Sequence, residues 1–156
     1  MVKNRSSFAR QRGVTYFWAL LMVLFITLGL GKLLENVAMT NKRNRETEML
    51  YTGNLYRGAI RQYSQSTPVG AKPYPEKLGD LLRDPRYPVI RRYLRRLYPD
   101  PVTGKAFIPI TAPEGGVMGV HSTSLRKPVK MAGFPKDQTA FSSARSYQQW
   151  ESTYAP

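Results

Sequence analysis

Residues 14–31 read VTYFWALLMVLFITLGLG, eighteen positions without a single charge. At a helical rise of about 1.5 Å per residue, such a run is about as long as the hydrocarbon core of a bilayer is thick. It is therefore expected to form a membrane-spanning helix. Two other origins of an apolar stretch fit less well. A cleaved secretory signal has an apolar region of roughly 7–15 residues ending at a small-residue cleavage site, and no A-x-A pattern stands near Ala38. A buried core helix would need a larger surrounding domain than a chain of 156 residues can build.

The flanks set a direction. Lys3, Arg5, Arg10 and Arg12 precede the apolar run, and short basic flanks stay on the cytoplasmic side. Lys32 follows it and can snorkel to the far interface. Lys42, Arg43 and Arg45 compete with the leading cations but lie farther from the apolar run. The expected orientation has the N-terminus inside and the C-terminal part outside.

The helix is expected to continue beyond the membrane. All twelve prolines follow residue 67, and none separates Gly31 from Ser66. From Met49 the apolar residues fall at 49, 50, 56, 59, 60 and 63, with Gly53 on the same stripe. That is a helical period with one apolar face. Glu46 and Glu48 open this part and Arg57 and Arg61 lie near its end, in keeping with the helix dipole. The chain thus divides into a basic leader (1–13), a transmembrane half-helix (14–34), an amphipathic half-helix (35–65) and a small extracytoplasmic domain (66–156).

That last part reads as α+β. Residues 66–75 are rich in Pro, Gly, Ser and Thr and leave the helix as a loop. Leu78 to Leu82 is a short helical turn. Tyr87 to Leu97 (YPVIRRYLRRL) is a second short-helix candidate, with Pro88 in its first turn and Ile90, Leu94 and Leu97 on one face. Asp100-Pro101-Val102-Thr103-Gly104 is a turn in which the aspartate can bond its own backbone. Ala106–Ile110 and Val117–Val120 read as short strands, paired antiparallel in a small sheet on the helix. Beyond Phe134 mainly loop is expected, pinned by Phe141, Tyr147 and Trp150.

Charge and chemistry narrow the function. The 24 Lys+Arg outnumber the 10 Asp+Glu, for a net charge of +14. Such an excess suits an acidic protein face, anionic lipid or nucleic acid. There is no cysteine, so disulfides and thiolate metal sites are excluded. The one histidine, His121, lacks a clear nucleophile or orienting carboxylate. Ser122 and Ser124 are near in sequence, but adjacent strand residues point to opposite faces. No catalytic residue, no metal site and no cofactor is assigned, and a non-enzymatic role is expected. The interaction candidates are Arg91, Arg92, Arg95 and Arg96, four guanidiniums in six residues interleaved with Tyr87, Tyr93 and Tyr98. They suit phosphates or carboxylates bidentately. The bland alternative is a solvated face paired with acids of neighbouring subunits.

Arg12-Gly13 running directly into an apolar helix resembles the processing site of type IV prepilins and type II secretion pseudopilins. Tyr74-Pro75 with Leu78 and Leu81-Leu82 is similar to the stretch after the long helix of major pseudopilins. Tyr98-Pro99-Asp100-Pro101-Val102-Thr103-Gly104-Lys105 resembles their Pro-Asp-Pro turn, and Gly115 to Ser122 occupies the place of the strand that ends in a serine-containing loop. Order and spacing agree over most of residues 10–125; residues 126–156 match nothing in the family. The resemblance implies a pilin-like fold and a structural subunit of a type II secretion pseudopilus or related assembly. It implies a bacterial inner-membrane protein with a periplasmic head. Its partners would be other pseudopilins, the inner-membrane assembly platform, a prepilin peptidase and membrane lipid, with nucleic acid as the alternative partner of the basic head. The peptidase would cut between Gly13 and Val14 and methylate the new N-terminus. Removing the four leader cations would lower the net charge from +14 to +10.

Two departures from the family pattern matter. The position five after the processing glycine, usually glutamate, is Trp18. The family glutamate is held to neutralise the N-terminal amine of an adjacent subunit, and indole is only a donor. Trp18 therefore suits a tip, initiating or non-filament subunit. Equally, it suits an aromatic belt with Tyr16 and Phe17 at the cytoplasmic headgroups. Second, major pseudopilins often bind calcium through an aspartate-rich C-terminal loop. After Gly116 this chain has only Asp137 and Glu151 as acids, beside Arg126, Lys127 and Lys130. No calcium site is expected. The alternative function is a minor pilin-like, membrane-anchored module whose basic head binds DNA or an acidic protein.

Overall fold

The computed structural model describes residues 12–155. The leader cations Lys3, Arg5 and Arg10 lie outside that range. The chain is α+β: one long helix, a three-stranded antiparallel sheet and short 3-10 turns. The described residues divide into two units, one up to residue 41 and one from residue 42 onward.

Helix α1 runs over Arg12–Gln65, 54 residues without a break, as the absence of proline before residue 68 allows. In the first unit its side chains are exposed nearly all round. In the second, Met49, Tyr56, Ala59, Ile60 and Tyr63 are buried, the stripe that the sequence period marks. The C-terminal end of α1 has no cation in its own last turn. Its orphaned Tyr63 carbonyl is satisfied instead by Ser66 Oγ (3.1 Å), Thr67 Oγ1 (3.1 Å) and Arg86 Nη2 (3.0 Å).

Strands β1 (Ile108–Thr111), β2 (Val117–His121) and β3 (Ser152–Thr153) pair in that order, all antiparallel. Ile108 faces His121 and Ile110 faces Gly119, with a bulge before Thr111. The β1–β2 connection closes through Gly115 and Gly116, both at positive φ. A side chain on Gly116 would also meet Tyr74 Cβ at 2.8 Å. The sheet rests on the buried stripe of α1, with Tyr56 and Phe107 packed edge to face at 5.6 Å between ring centres.

Two expectations need correction. Tyr87–Leu97 is not a helix; the segment is irregular, with bends at 88–89, 93 and 95–96. Leu81's carbonyl takes the N–H groups of both Tyr93 (2.9 Å) and Leu94 (3.0 Å), and Asp84 N–H goes to Arg91's carbonyl (3.1 Å). Those bonds fold the segment back on the 3-10 turn Leu78–Leu81, so only Leu94 is buried while Ile90 and Leu97 stay exposed. The tail is also more than loop. It holds 3-10 segments Lys136–Ser143 and Tyr147–Gln149 as well as β3. Phe141, Tyr147 and Trp150 are all buried, as expected of them. Trp150 stacks on Phe141 at 5.6 Å and meets Tyr147 edge-on at 5.4 Å, pairings that add to plain area burial.

Candidate functional site

The first candidate site is the apolar part of α1. Trp18 is 64 % exposed, and Phe17, Leu24 and Phe25 are comparably open. Not one residue of the most apolar window is buried, and the helix is long and apolar enough to cross a membrane. Trp18, Ala19, Leu21, Met22, Phe25 and Ile26 line a shallow groove of about 610 Å³. An apolar surface on all sides of a helix is stable in lipid or against other apolar helices, and costly in water. The hydroxyl of Thr27 is satisfied within the helix by the carbonyls of Val23 and Leu24, each at 2.9 Å, so it adds no unmet polar group to that surface. Gly13 and Val14 both lie within α1.

The arginine cluster is the second candidate. Arg91, Arg92, Arg95 and Arg96 are all exposed, carried on an irregular, bent segment rather than around a helix. Arg91 lies over the Tyr87 ring at 3.9 Å and Arg96 over Tyr98 at 5.1 Å, geometries that favour the cation at the ring face. Tyr93 is instead turned inward, its hydroxyl bonded to Asp84 (2.9 Å) and Ser66 (2.6 Å).

Beneath that cluster sits a clamp that sequence reasoning missed. Arg86 donates to Asp84 from Nε (2.9 Å) and Nη2 (2.7 Å), to Thr67 Oγ1 from Nη1 (2.6 Å), and lies 3.5 Å over the Tyr63 ring. Burial works to raise the Asp84 pKa, but hydrogen bonds from Arg86 and Tyr93 outweigh it and hold the carboxyl below its usual range. Burial pushes Tyr63 up to about 12 against the pull of Arg86. The clamp fixes the start of the arginine segment on the end of α1.

Glu46 is the other missed residue. It is 1 % exposed, and its carboxylate accepts from the backbone N–H of Val129 and of Lys130 (3.0 Å) and from Tyr147 Oη (2.7 Å). Burial, then that bond to Glu46, drive the Tyr147 phenol far above its ordinary pKa. In the sequence Glu46 reads only as an acid opening the amphipathic half-helix, in keeping with the dipole; its place seven residues before Gly53 on the apolar stripe is the signal that could have flagged it.

The Asp100 turn forms as expected, with Val102 N–H on Oδ1 at 2.8 Å and Gly104 at positive φ. Asp100 is buried and also takes Ser122 Oγ at 2.6 Å. Ser122's hydroxyl is thereby directed at a carboxylate, while His121 Nδ1 meets the Ser122 carbonyl at 2.9 Å. The two side chains are not brought together. Among the described residues no group of three or more His, Asp or Glu side chains is gathered to hold a metal.

Comparison with protein-family models, with curated proteins and with solved structures gives no match to this chain.

Proposed function

We propose that this chain is a single-pass membrane protein of the type IV pilin-like class, acting mechanically rather than as an enzyme. Within that class, the reading favoured by the Tyr74-Pro75 and Asp100 turn motifs is a structural subunit of a type II secretion pseudopilus or a related assembly. Its subunits would pack through their apolar half-helices and shift outward as a membrane platform adds new ones. The observation that carries the proposal is the two-part character of α1. One unbroken helix is exposed and apolar at its N-terminal end, and buries a single stripe under a small antiparallel sheet at its other end. Trp18, inside the apolar groove where a carboxylate would pair with a neighbour's amine, favours a tip or initiating position.

Mass spectrometry of the mature N-terminus tests this directly. The expected chain begins at a methylated Val14 in the membrane fraction. An intact Met1, or a start near Ala38, removes it from the pilin class.

The exposed arginines with stacked tyrosines favour a second reading, a head that grips DNA or an acidic protein. Gel-shift titration of the detergent-solubilised chain separates the two partners. DNA binding whose affinity falls steeply with salt, as several phosphate contacts require, supports it. No shift at low salt leaves the protein partner.

A further inference from the structure

Lys42 and Arg45 stand three residues apart on α1 and share a face there. Against that face lies the loop 125–131, LRKPVKM, which brings Arg126 and Lys127. These four cations, with Val102, Val129 and Tyr147, line one cavity of about 100 Å³, and no acid is among its lining residues. Among the described residues the ion pairs are Arg57–Asp137, Lys72–Glu76 and Arg86–Asp84. None of the four cations is therefore neutralised by a partner within the described chain.

Like charges brought together repel, yet the backbone that carries these is fixed. Arg126's carbonyl accepts from Tyr147 N–H (3.1 Å), and Ser124's accepts from Gln148 N–H (3.0 Å). Past Lys127, Pro128 is buried, and Glu46 takes the N–H groups of Val129 and Lys130. The loop is thus pinned on both sides of its two cations. Glu46 is spent on those bonds and on Tyr147 Oη, so it fastens the loop without lining the cavity.

Size and charge together select the anion. About 100 Å³ is room for roughly three water-sized groups, so one compact group must answer all four cations. A carboxylate brings a single charge and two oxygens. A nucleic-acid phosphodiester also brings a single charge. The ring that could stack a base, Tyr147, is buried with its hydroxyl on Glu46. A phosphomonoester brings a charge of about −1.5 to −2 at pH 7 and three acceptor oxygens, which suit two guanidiniums and two ammoniums.

We propose that the cavity between Lys42 and Arg45 on α1 and Arg126 and Lys127 on the loop binds the phosphoryl group of free phosphate or of a small phosphomonoester. Occupancy relieves the repulsion among the cations and stabilises the folded chain. The site lies wholly within the second unit, from residue 42 onward, and it stands whether or not the chain belongs to the pilin class.

The full-length chain in an uncharged detergent is titrated with inorganic phosphate, glycerol phosphate or succinate, at an ionic strength held constant with sodium chloride. Calorimetry reads binding, and circular dichroism reads the thermal unfolding midpoint. Phosphate should bind saturably and raise the midpoint, and succinate should do neither. Glycerol phosphate binding as well makes the ligand a phosphomonoester; inorganic phosphate binding alone makes it the free ion. Arg126→Gln with Lys127→Gln, and separately Lys42→Gln with Arg45→Gln, should each weaken phosphate binding by about tenfold or more, as the loss of charge-assisted bonds requires. All four positions are exposed, so the midpoint without phosphate should stay level or rise in both variants. Arg92→Gln with Arg95→Gln should leave the affinity unchanged. The proposal is overturned by an absence of saturable binding, by an equal response to succinate, or by affinity that depends on Arg92 and Arg95 instead. A midpoint that falls without phosphate in both cavity variants also overturns it, since the cations would then serve the fold.

Discussion

Replacing Glu46 should unfasten the loop at residues 125–131 from α1. The carboxylate is fully enclosed and serves three donors: Val129 N–H, Lys130 N–H and Tyr147 Oη. Glu46→Ala leaves all three without an acceptor. A buried donor left unmet costs about 1–3 kcal/mol. Some of that is recovered where water reaches half-buried Val129 and Lys130, so a total of roughly 3–6 kcal/mol is expected. Against a typical domain stability of about 5–15 kcal/mol, that is a large share. Glu46→Gln keeps one acceptor oxygen but turns an amide donor toward a donor, and should cost about 1–3 kcal/mol. Urea unfolding of the full chain in detergent reads the effect through Trp150, which is 2 % exposed, in a Trp18→Phe background that removes the other indole. A Glu46→Ala cost below about 1 kcal/mol would refute the reasoning. An equal cost for Ala and Gln would show that space, not hydrogen bonding, is what Glu46 supplies.

Four other outcomes follow from the same geometry. Gly119→Ala should break the β2–β3 edge, because its Cβ would stand 2.6 Å from the Ser152 carbonyl oxygen and 2.8 Å from Thr153 Cα; proteolysis of residues 150–155 should accelerate. Gly58→Ala meets nothing within 4 Å and should stabilise the helix by about 0.5–1 kcal/mol in the same urea titration. Asp84's folded pKa lies below its unfolded value, so its contribution is present above the unfolded pKa and is lost as pH falls through the folded one; Asp84→Asn should flatten the decline in stability below about pH 4. Trp18→Glu should increase site-specific cross-linking between copies if position 18 governs assembly; an unchanged yield makes Trp18 a membrane-belt residue only.

What could be read from the sequence depended on how local each signal was. The long helix was legible because eighteen uncharged residues and then the stripe at Met49, Tyr56, Ile60 and Tyr63 are patterns within one element. The Asp100 turn was legible because its bonds close within four residues. Tyr87–Leu97 misled because its apolar spacing imitates a helix, while the N–H groups of Tyr93 and Leu94 are taken by Leu81, a partner that only the folded chain supplies. β3 is two residues, Ser152–Thr153, with no period to detect. Its trace is indirect: Gly53, on the stripe of α1, stands where a Cβ would lie 2.2 Å from Ser152 Oγ.

The buried carboxylates share one role. Glu46, Asp80, Asp84 and Asp100 are buried. Glu46 gathers the N–H groups of 129 and 130, Asp80 those of 76 and 77, Asp84 that of 86 and Asp100 that of 102. In a domain with only a small sheet, enclosed carboxylates take over part of what helix and strand ladders do elsewhere, satisfying loop backbone that would otherwise be buried unpaired. This changes how the net charge should be understood. Four of the ten acidic residues are withdrawn into the interior, while Arg91, Arg92, Arg95, Arg96, Arg126 and Lys127 stay outside. The surface offered to partners is therefore more basic than composition alone conveys. Internal architecture and external attraction draw on the same scarce acids, so neutralising a buried one loosens a loop and also raises the net charge by one.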